Sequence, residues 1–334
     1  MTQTNKLLLL GKVIHAKAEY QQLSELAELV EFTSKTREEF ISDLHGKYSD
    51  ITAIYNTHHS DHIVHGIDQE IVSHFPESLK FVCHNGAGYD SVDVKSLTGR
   101  EIQLSNTPQA VANATANTAI YLILGALRNF NRLANELRRG NWCRTTPEAH
   151  EPTGKVLGIL GLGGIGSLIR DKAATLGFDR IIYHNRRQLP KNEEGLAEYV
   201  TFDELLAQSD VLSLSLPLNP NTRHIIDAGA LSKCKDGVVI VNTSRGAIID
   251  EKALVRALDS GKVSSAGLDV FEKEPEIDPG LLSNENILLL PHVGTHAVEP
   301  RKEMELTVIR NLRSAFKTGK VVDLVPEQVK SSRL

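Results

Sequence analysis

A strand-like run, KVLGIL (155–160), leads directly into GLGGIG (161–166), and a helical pattern over 164–176 follows. No other feature restricts the fold as much, because strand, glycine turn and helix must follow one another for the spacing to work. The first glycine, Gly161, permits a tight turn. The second, Gly163, lets backbone approach a pyrophosphate, and the third, Gly166, lets helix and strand pack closely. The helix N-terminus then offers unpaired amides, with Gly164 and Ile165 the expected donors, and a dipole that favours an anion. A dinucleotide-binding α/β domain built on a parallel sheet is the expectation.

The end of the next strand, RIIYH (180–184), bears on which dinucleotide. A site for NAD places Asp or Glu about 20 residues beyond the loop, on the ribose hydroxyls. Here the chain reads Tyr183-His184-Asn185-Arg186-Arg187. Asn185 carries no charge to repel a 2′-phosphate, and Arg186, with Arg187 beside it, can pair with one through two parallel donors. NADP(H) is therefore expected, with NAD as the alternative.

At 334 residues the chain has room for two domains. Strand-length apolar runs alternate with helical patterns for most of its length, which argues α/β with parallel sheets. The first part reads as strand 7–14, helices 18–31 and 37–47, strand 51–55, helix 67–74, strand 80–84 and a short unit around 92–104. One long helix is expected from about 110 to 139. Beyond the Pro/Gly-rich stretch at 145–154 come strands at 155–160, 180–184, 210–215, 237–242, 263–269 and 287–290. A final helix from about 300 to 318 is expected to return to the first domain. Two Rossmann/flavodoxin-like domains follow, the catalytic one discontinuous: 1–112 plus 298–334 for substrate, 113–297 for the dinucleotide.

A net charge of -5 and a pI near 6.2 give no electrostatic reason to expect nucleic acid or an anionic membrane as partner. The N-terminal apolar run is too short to span a bilayer. Three cysteines without recognisable spacing fit a reducing compartment, the cytoplasm. The last three residues, Ser332-Arg333-Leu334, differ from the Ser-Lys-Leu peroxisomal address only by Arg for Lys.

Reduction of a 2-oxo acid needs a cation for the carboxylate and an acid that is protonated near neutral pH. Arg245 follows a buried strand in VVIVNTSRGAIIDEKAL, on the edge where open α/β sheets bind ligands. Glu274, in GLDVFEKEP, and His292, in ILLLPHVGTH, follow the next two strands. A carboxylate against His292 holds one tautomer and favours the imidazolium. Glu272 and His296 are the competing partner and acid. Asp269, at a strand end, is assigned to the nicotinamide side of the cofactor.

These segments together resemble one family. VCHNGAGYDSVDV (82–94), NTPQAVANATANTA (106–119), GKVLGILGLGGIGS (154–167), VIVNTSRGAIIDEKAL (239–254), AGLDVFEKEP (266–275) and LPHVGTH (290–296) occur in the order found in D-isomer-specific 2-hydroxyacid dehydrogenases. Within that family the chain is most similar to the glyoxylate/hydroxypyruvate reductase branch found in fungi. The resemblance implies that Arg245, Glu274 and His292 are the catalytic residues. It implies cofactor contacts at Thr115, Thr243, Ser244, Asp269 and Thr295, and carboxylate contacts from the backbone of Asn85, Gly86, Ala87 and Gly88. It also implies a homodimer, with the helix after Thr115 in the interface and Trp142 near the partner's active site.

Three related readings compete with this one. A formate dehydrogenase-like site would carry Gln where Glu274 stands. A phosphoglycerate dehydrogenase would have to handle a substrate phosphate. A dinucleotide-sensing corepressor could keep the fold and the triad, and turnover of glyoxylate or hydroxypyruvate separates it from an enzyme. Finally, His58 and His62 stand four apart in HHSDH (58–62), a pair suited to a metal if helical, but no third-ligand motif completes it. No metal is expected.

Overall fold

Apolar runs such as LLLL (7–10) and VVIV (238–241) have no polar face, so their strands must be covered on both sides. The computed structural model, which describes residues 5–144 and 146–331, builds two such covered sheets in two compact units. One unit comprises Met1–Val111 with His296–Leu334 and the other Ala112–Thr295.

The first unit holds β1 (Asn5–Leu10), β2 (Ala27–Glu31), β3 (Ala53–Asn56), β4 (Phe81–His84) and β5 (Gln103–Ser105), in the order β2-β1-β3-β4-β5. Every pairing is parallel, and the order is flavodoxin-like. One face buries Leu8, Leu10, Ile54 and Val82 against Phe40 and Ile71. The other buries Leu7, Tyr55 and Cys83 against Val308, Leu312 and Ala315 of the helix Val298–Thr318. That packing makes this unit discontinuous. Glu305 of the same helix, only 4% exposed, accepts from the amides of Ile14, His15 and Ala16 at 2.9, 2.8 and 2.7 Å.

The second unit is a seven-stranded parallel sheet. Its strands are β6 (Val156–Leu160), β7 (Arg180–His184), β8 (Ala197–Tyr199), β9 (Val211–Leu214), β10 (Val238–Asn242), β11 (Val263–Leu268) and β12 (Ile287–Leu289). The order β12-β11-β10-β9-β6-β7-β8 reverses direction between β6 and β9. Ligands of open α/β sheets bind at such a switch point. The helix Pro108–Leu127 is long and apolar enough to cross a bilayer by length and composition. Its Ala116, Ala119, Leu122, Ile123 and Ala126 are instead buried with Leu157, Ile159 and Val241. Small residues permit this, since a Cβ at Gly267 would lie 2.8 Å from that of Leu122.

Three local expectations are corrected. The helix read over 18–31 stops early: a helix covers Lys17–Gln21, a 3-10 turn Gln22–Glu25, and the rest is strand β2. The Ala, Glu and Leu of that segment favour a helix, but pairing of Ala27 to Glu31 alongside β1 overrides propensity. The long helix of 110–139 is two, Pro108–Leu127 and Phe130–Arg138, separated at Asn129, which adopts a left-handed φ of 52°. Asparagine tolerates that conformation better than most residues. The first strand ends at Leu10, not 14, because Gly11 turns the chain at φ 126° against Thr57. Strand β8 and the helix Pro326–Ser331 were not anticipated. The tripeptide Ser332-Arg333-Leu334 lies outside the described residues.

Candidate active site

The glycine loop has a local reason for each glycine. Gly161 sits at φ 100°, and a Cβ there would be 2.6 Å from the Ser215 carbonyl oxygen, just beyond β9. A Cβ at Gly166 would be 2.1 Å from the Gly161 carbonyl oxygen, so only glycine lets the helix Gly164–Ala173 start this close to β6. At Gly163 and Gly164 a Cβ would meet nothing within 4 Å among the described residues. The second glycine therefore faces open space, as close approach of a pyrophosphate requires. Among the described residues no side chain caps this helix, which leaves its first-turn amides, including those of Gly164 and Ile165, for an anion.

Asn185, beyond β7, has a role that its sequence position did not reveal. Its Oδ1 accepts from the Leu162 amide at 2.7 Å and so ties the glycine loop to the end of the neighbouring strand. Arg186 and Arg187 are exposed. Among the described residues neither guanidinium has a hydrogen bond or ion pair.

Four loops follow the C-terminal ends of β6, β10, β11 and β12. His292, three residues past β12, stands at φ 52°, a conformation uncommon outside glycine and kept only where surroundings enforce it. Asp269 provides that enforcement. The His292 amide donates to the Asp269 carbonyl at 2.8 Å. The carboxylate accepts from the Val293 amide at 2.7 Å and the Gly294 amide at 2.8 Å. Asp269 is 1% exposed, and burial pushes its carboxyl above the ordinary range against the pull of those amides and of His292. Its visible work is to set the turn that carries His292.

The His292 Nδ1–H donates to Glu274 Oε2 at 2.7 Å, and Glu274 Oε1 accepts from the Phe271 amide at 2.8 Å. The other ring nitrogen, Nε2, has no partner among the described residues. Burial alone would raise the Glu274 carboxyl. The hydrogen bonds from His292 and Phe271 and the charges of His292 and Arg245 outweigh it, and the group is held below the usual glutamate range. Glu272 is committed elsewhere, accepting from Arg223 and His224 at 2.8 Å each. His296 belongs to the first unit.

Arg245 is placed by an Asn-centred turn after β10. Asn242 Nδ2 donates to the Arg245 carbonyl at 2.8 Å, and Asn242 Oδ1 accepts from the amide and the hydroxyl of Ser244 at 3.0 and 2.8 Å. Arg245 Nη1 donates to the Ser244 carbonyl at 2.8 Å. Gly246 then packs on the loop that carries Glu274, since a Cβ there would fall 1.8 Å from the Phe271 carbonyl carbon. Thr115 and Thr243 are buried and Ser244 and Thr295 are partly buried. Thr115 Oγ1 lies 3.5 Å from where a Gly294 Cβ would stand, beside the His292 turn. The glycine after Arg245 is expected to allow close backbone approach, and Gly246 does so; Asn242 is the site residue that sequence reasoning missed. An Asn two residues before Ser and three before Arg is the signal that could have found it.

In the first unit, Asn85, Gly86, Ala87 and Gly88 follow β4 at that sheet's C-terminal edge. The histidines of 58–65 lie in a 3-10 turn, His58–Ser60, and a one-turn helix, Asp61–Val64, after β3, and His58 Nδ1 pairs with Asp61 at 3.0 Å. Among the described residues no group of three His, Cys, Asp or Glu side chains could hold a metal ion.

A family model described as "D-isomer specific 2-hydroxyacid dehydrogenase, NAD binding domain" matches residues 120–294. The 4-methyl-2-oxopentanoate reductase A of Aspergillus oryzae is 52% identical over 322 residues, covering 96% of this chain and 98% of its own. The crystal structure of a glyoxylate reductase from Paecilomyes thermophila matches with a TM-score of 0.95 at 52% identity, over 98% of this chain and 100% of that one. An NADPH-dependent glyoxylate/hydroxypyruvate reductase from Sinorhizobium meliloti, solved with NADP and malonate, matches with a TM-score of 0.84 at 32% identity, over 97% of both chains.

Proposed function

The chain belongs to the D-isomer-specific 2-hydroxyacid dehydrogenases, oxidoreductases that act on CH–OH with a nicotinamide dinucleotide, and from that premise we propose that it reduces glyoxylate or hydroxypyruvate with NADPH. The observation that carries this reading is the His292–Glu274 pair, with Nδ1 held at 2.7 Å and Nε2 left to act. The dinucleotide, when bound, supplies the hydride. Gly163, Gly164 and Ile165 would hold its pyrophosphate, Asn185 and Arg186 its adenosine ribose and 2′-phosphate, and Thr115, Thr243, Ser244, Asp269 and Thr295 are kept as further cofactor contacts, Asp269 on the nicotinamide side. Arg245 anchors the substrate carboxylate through two parallel donors. His292 Nε2–H gives its proton to the 2-oxygen as that oxygen gains charge, and takes it back in the reverse direction. Asn85, Gly86, Ala87 and Gly88 are retained as backbone contacts of the carboxylate.

The relatives differ in the substrate they are named for, which runs from glyoxylate to the branched 4-methyl-2-oxopentanoate. The deciding experiment is therefore a panel of kcat/KM values for glyoxylate, hydroxypyruvate and 4-methyl-2-oxopentanoate, each with NADPH and with NADH. The expected pattern is highest efficiency with one of the two small acids, and a preference for NADPH of about tenfold or more, one charge-assisted contact. Turnover of none of the three would overturn the reaction, and a clear NADH preference would overturn the role given to Arg186.

Glu274→Gln should lower kcat about 10- to 100-fold, part of what a general acid contributes. It should also remove the acid limb that protonation of the Glu274 carboxylate gives the reduction profile, because the amide does not titrate. In the parent protein the Glu274 carboxyl lies below its ordinary range. The carboxylate is therefore present through neutral pH and lost only as pH falls through that depressed value. A kcat within about threefold of the parent in the variant would contradict the pairing as a catalytic device.

We also propose a homodimer. Tyr121, Phe130, Leu137 and Trp142 are large, apolar and exposed on and just beyond the helices Pro108–Leu127 and Phe130–Arg138, a concentration that marks an association surface. Sedimentation as a monomer at micromolar concentration would refute it. Residence in the cytoplasm, or in peroxisomes through Ser332-Arg333-Leu334, completes the proposal. A reporter carrying the last ten residues distinguishes the two.

A further inference from the structure

His84 ends β4, immediately before Asn85, and is 1% exposed. None of the steps above uses it. Both ring nitrogens face protein groups. Asn56, its register partner on β3, places Nδ2 2.9 Å from Nδ1, and the Gly88 carbonyl oxygen lies 3.0 Å from Nε2. An amide nitrogen only donates and a carbonyl only accepts, so Nδ1 accepts from Asn56 and Nε2–H donates to Gly88.

The consequence falls on the loop. Three successive carbonyls are fastened to protein donors. Gly86 O accepts from the Thr107 amide at 2.9 Å, Ala87 O from Asn106 Nδ2 at 2.7 Å and Gly88 O from His84 Nε2 at 3.0 Å. In a trans peptide the N–H points opposite to the C=O. The amides of the same three peptide groups, those of Ala87, Gly88 and Tyr89, have no partner among the described residues. A row of amides turned out in this way is a cradle for an anion. Gly86 lets the arrangement close, because a Cβ there would stand 2.7 Å from His84 Nε2 and 3.1 Å from His58 Nε2.

Resting on the function proposed above, we propose that His84 is the positioning residue that presents this row of amides to the substrate carboxylate, with Asn56 fixing its tautomer and Asn106 holding the next carbonyl. His84 touches neither reacting atom, so its loss acts on binding and spares the chemical step.

The test compares His84→Leu, His84→Gln and Asn106→Ala in the full chain with saturating NADPH. It reads glyoxylate kinetics and direct titration with oxalate, a two-carbon dianion of similar shape. His84→Leu leaves the Gly88 carbonyl without its donor, and should raise the glyoxylate KM and the oxalate Kd about 10- to 100-fold. Its kcat and its KM for NADPH should stay within about threefold. His84→Gln can return an N–H to Gly88 and should recover most of the loss, while Asn106→Ala should weaken oxalate about tenfold. Oxalate affinity unchanged in both the Leu and Ala variants overturns the inference, as does a Gln variant no better than Leu. Should the Leu variant fail to fold, Asn106→Ala with unchanged oxalate affinity overturns it alone. If the parent protein binds oxalate in this His84-dependent way yet reduces no 2-oxo acid, the proposed reaction falls and the cradle stands.

Discussion

Replacing His292 with alanine should cut kcat for 2-oxo acid reduction about 10²- to 10⁴-fold, the contribution typical of a positioned general acid. The KM for NADPH should change little. Among the described residues the ring is the only group on the β12 loop hydrogen-bonded to Glu274, and Nε2 has no partner, which leaves it for the substrate oxygen. Alanine carries a second effect that must be separated from the first. The left-handed backbone at φ 52° disfavours an L residue with a plain Cβ, so His292→Ala loses some stability of the turn as well as the acid. His292→Asn resolves this, because Asn tolerates the same backbone but cannot donate a proton as an acid near neutral pH. Both variants should lose kcat to a similar degree, while thermal unfolding should show His292→Asn as the more stable. A kcat within about fivefold of the parent in His292→Asn would remove His292 as the proton donor and return the choice to His296 or to solvent.

That backbone requirement marks the limit of what the sequence made legible. The three glycines could be given roles in advance, because each role depends on local geometry that the strand–turn–helix order already implies. Arg245, Glu274 and His292 could be placed on one sheet edge for the same reason: strand order in a parallel sheet puts every following loop at the same end. The fasteners could not be read. Asp269 holds the His292 turn through amides 24 and 25 residues away, and Asn185 reaches back 23 residues to Leu162. Such bonds follow from strand register, which periodicity does not encode. Segment 27–31 failed for a related cause. Its composition suits a helix, and only the open edge of β1 makes it a strand. Asn129 broke a helix whose apolar pattern ran on without interruption, since a single left-handed residue leaves no periodic trace.

Arg245→Ala should lower kcat/KM for the oxo acid about 10²- to 10³-fold, as expected when a charged, two-donor contact to a carboxylate is lost. Most of the loss should appear in KM. A merely weakened pocket would give the same number, so a second readout is needed, and the electrostatics supply one. The Arg245 charge is among the causes that hold Glu274 below its usual range. Without that cation the Glu274 carboxylate takes up its proton at higher pH. The His292–Glu274 pair is then lost earlier as pH falls, and the acid limb of the kcat profile moves upward. Arg245→Lys separates the two roles. It keeps a positive charge near Glu274, so its acid limb should stay close to that of the parent. It lacks the paired planar donors, so its KM should rise by about tenfold or more. If Arg245→Lys restores binding fully, charge alone holds the substrate and the bidentate anchor is wrong. If Arg245→Ala leaves the acid limb in place, Arg245 and Glu274 act independently, and the catalytic set is a substrate anchor beside a self-sufficient dyad.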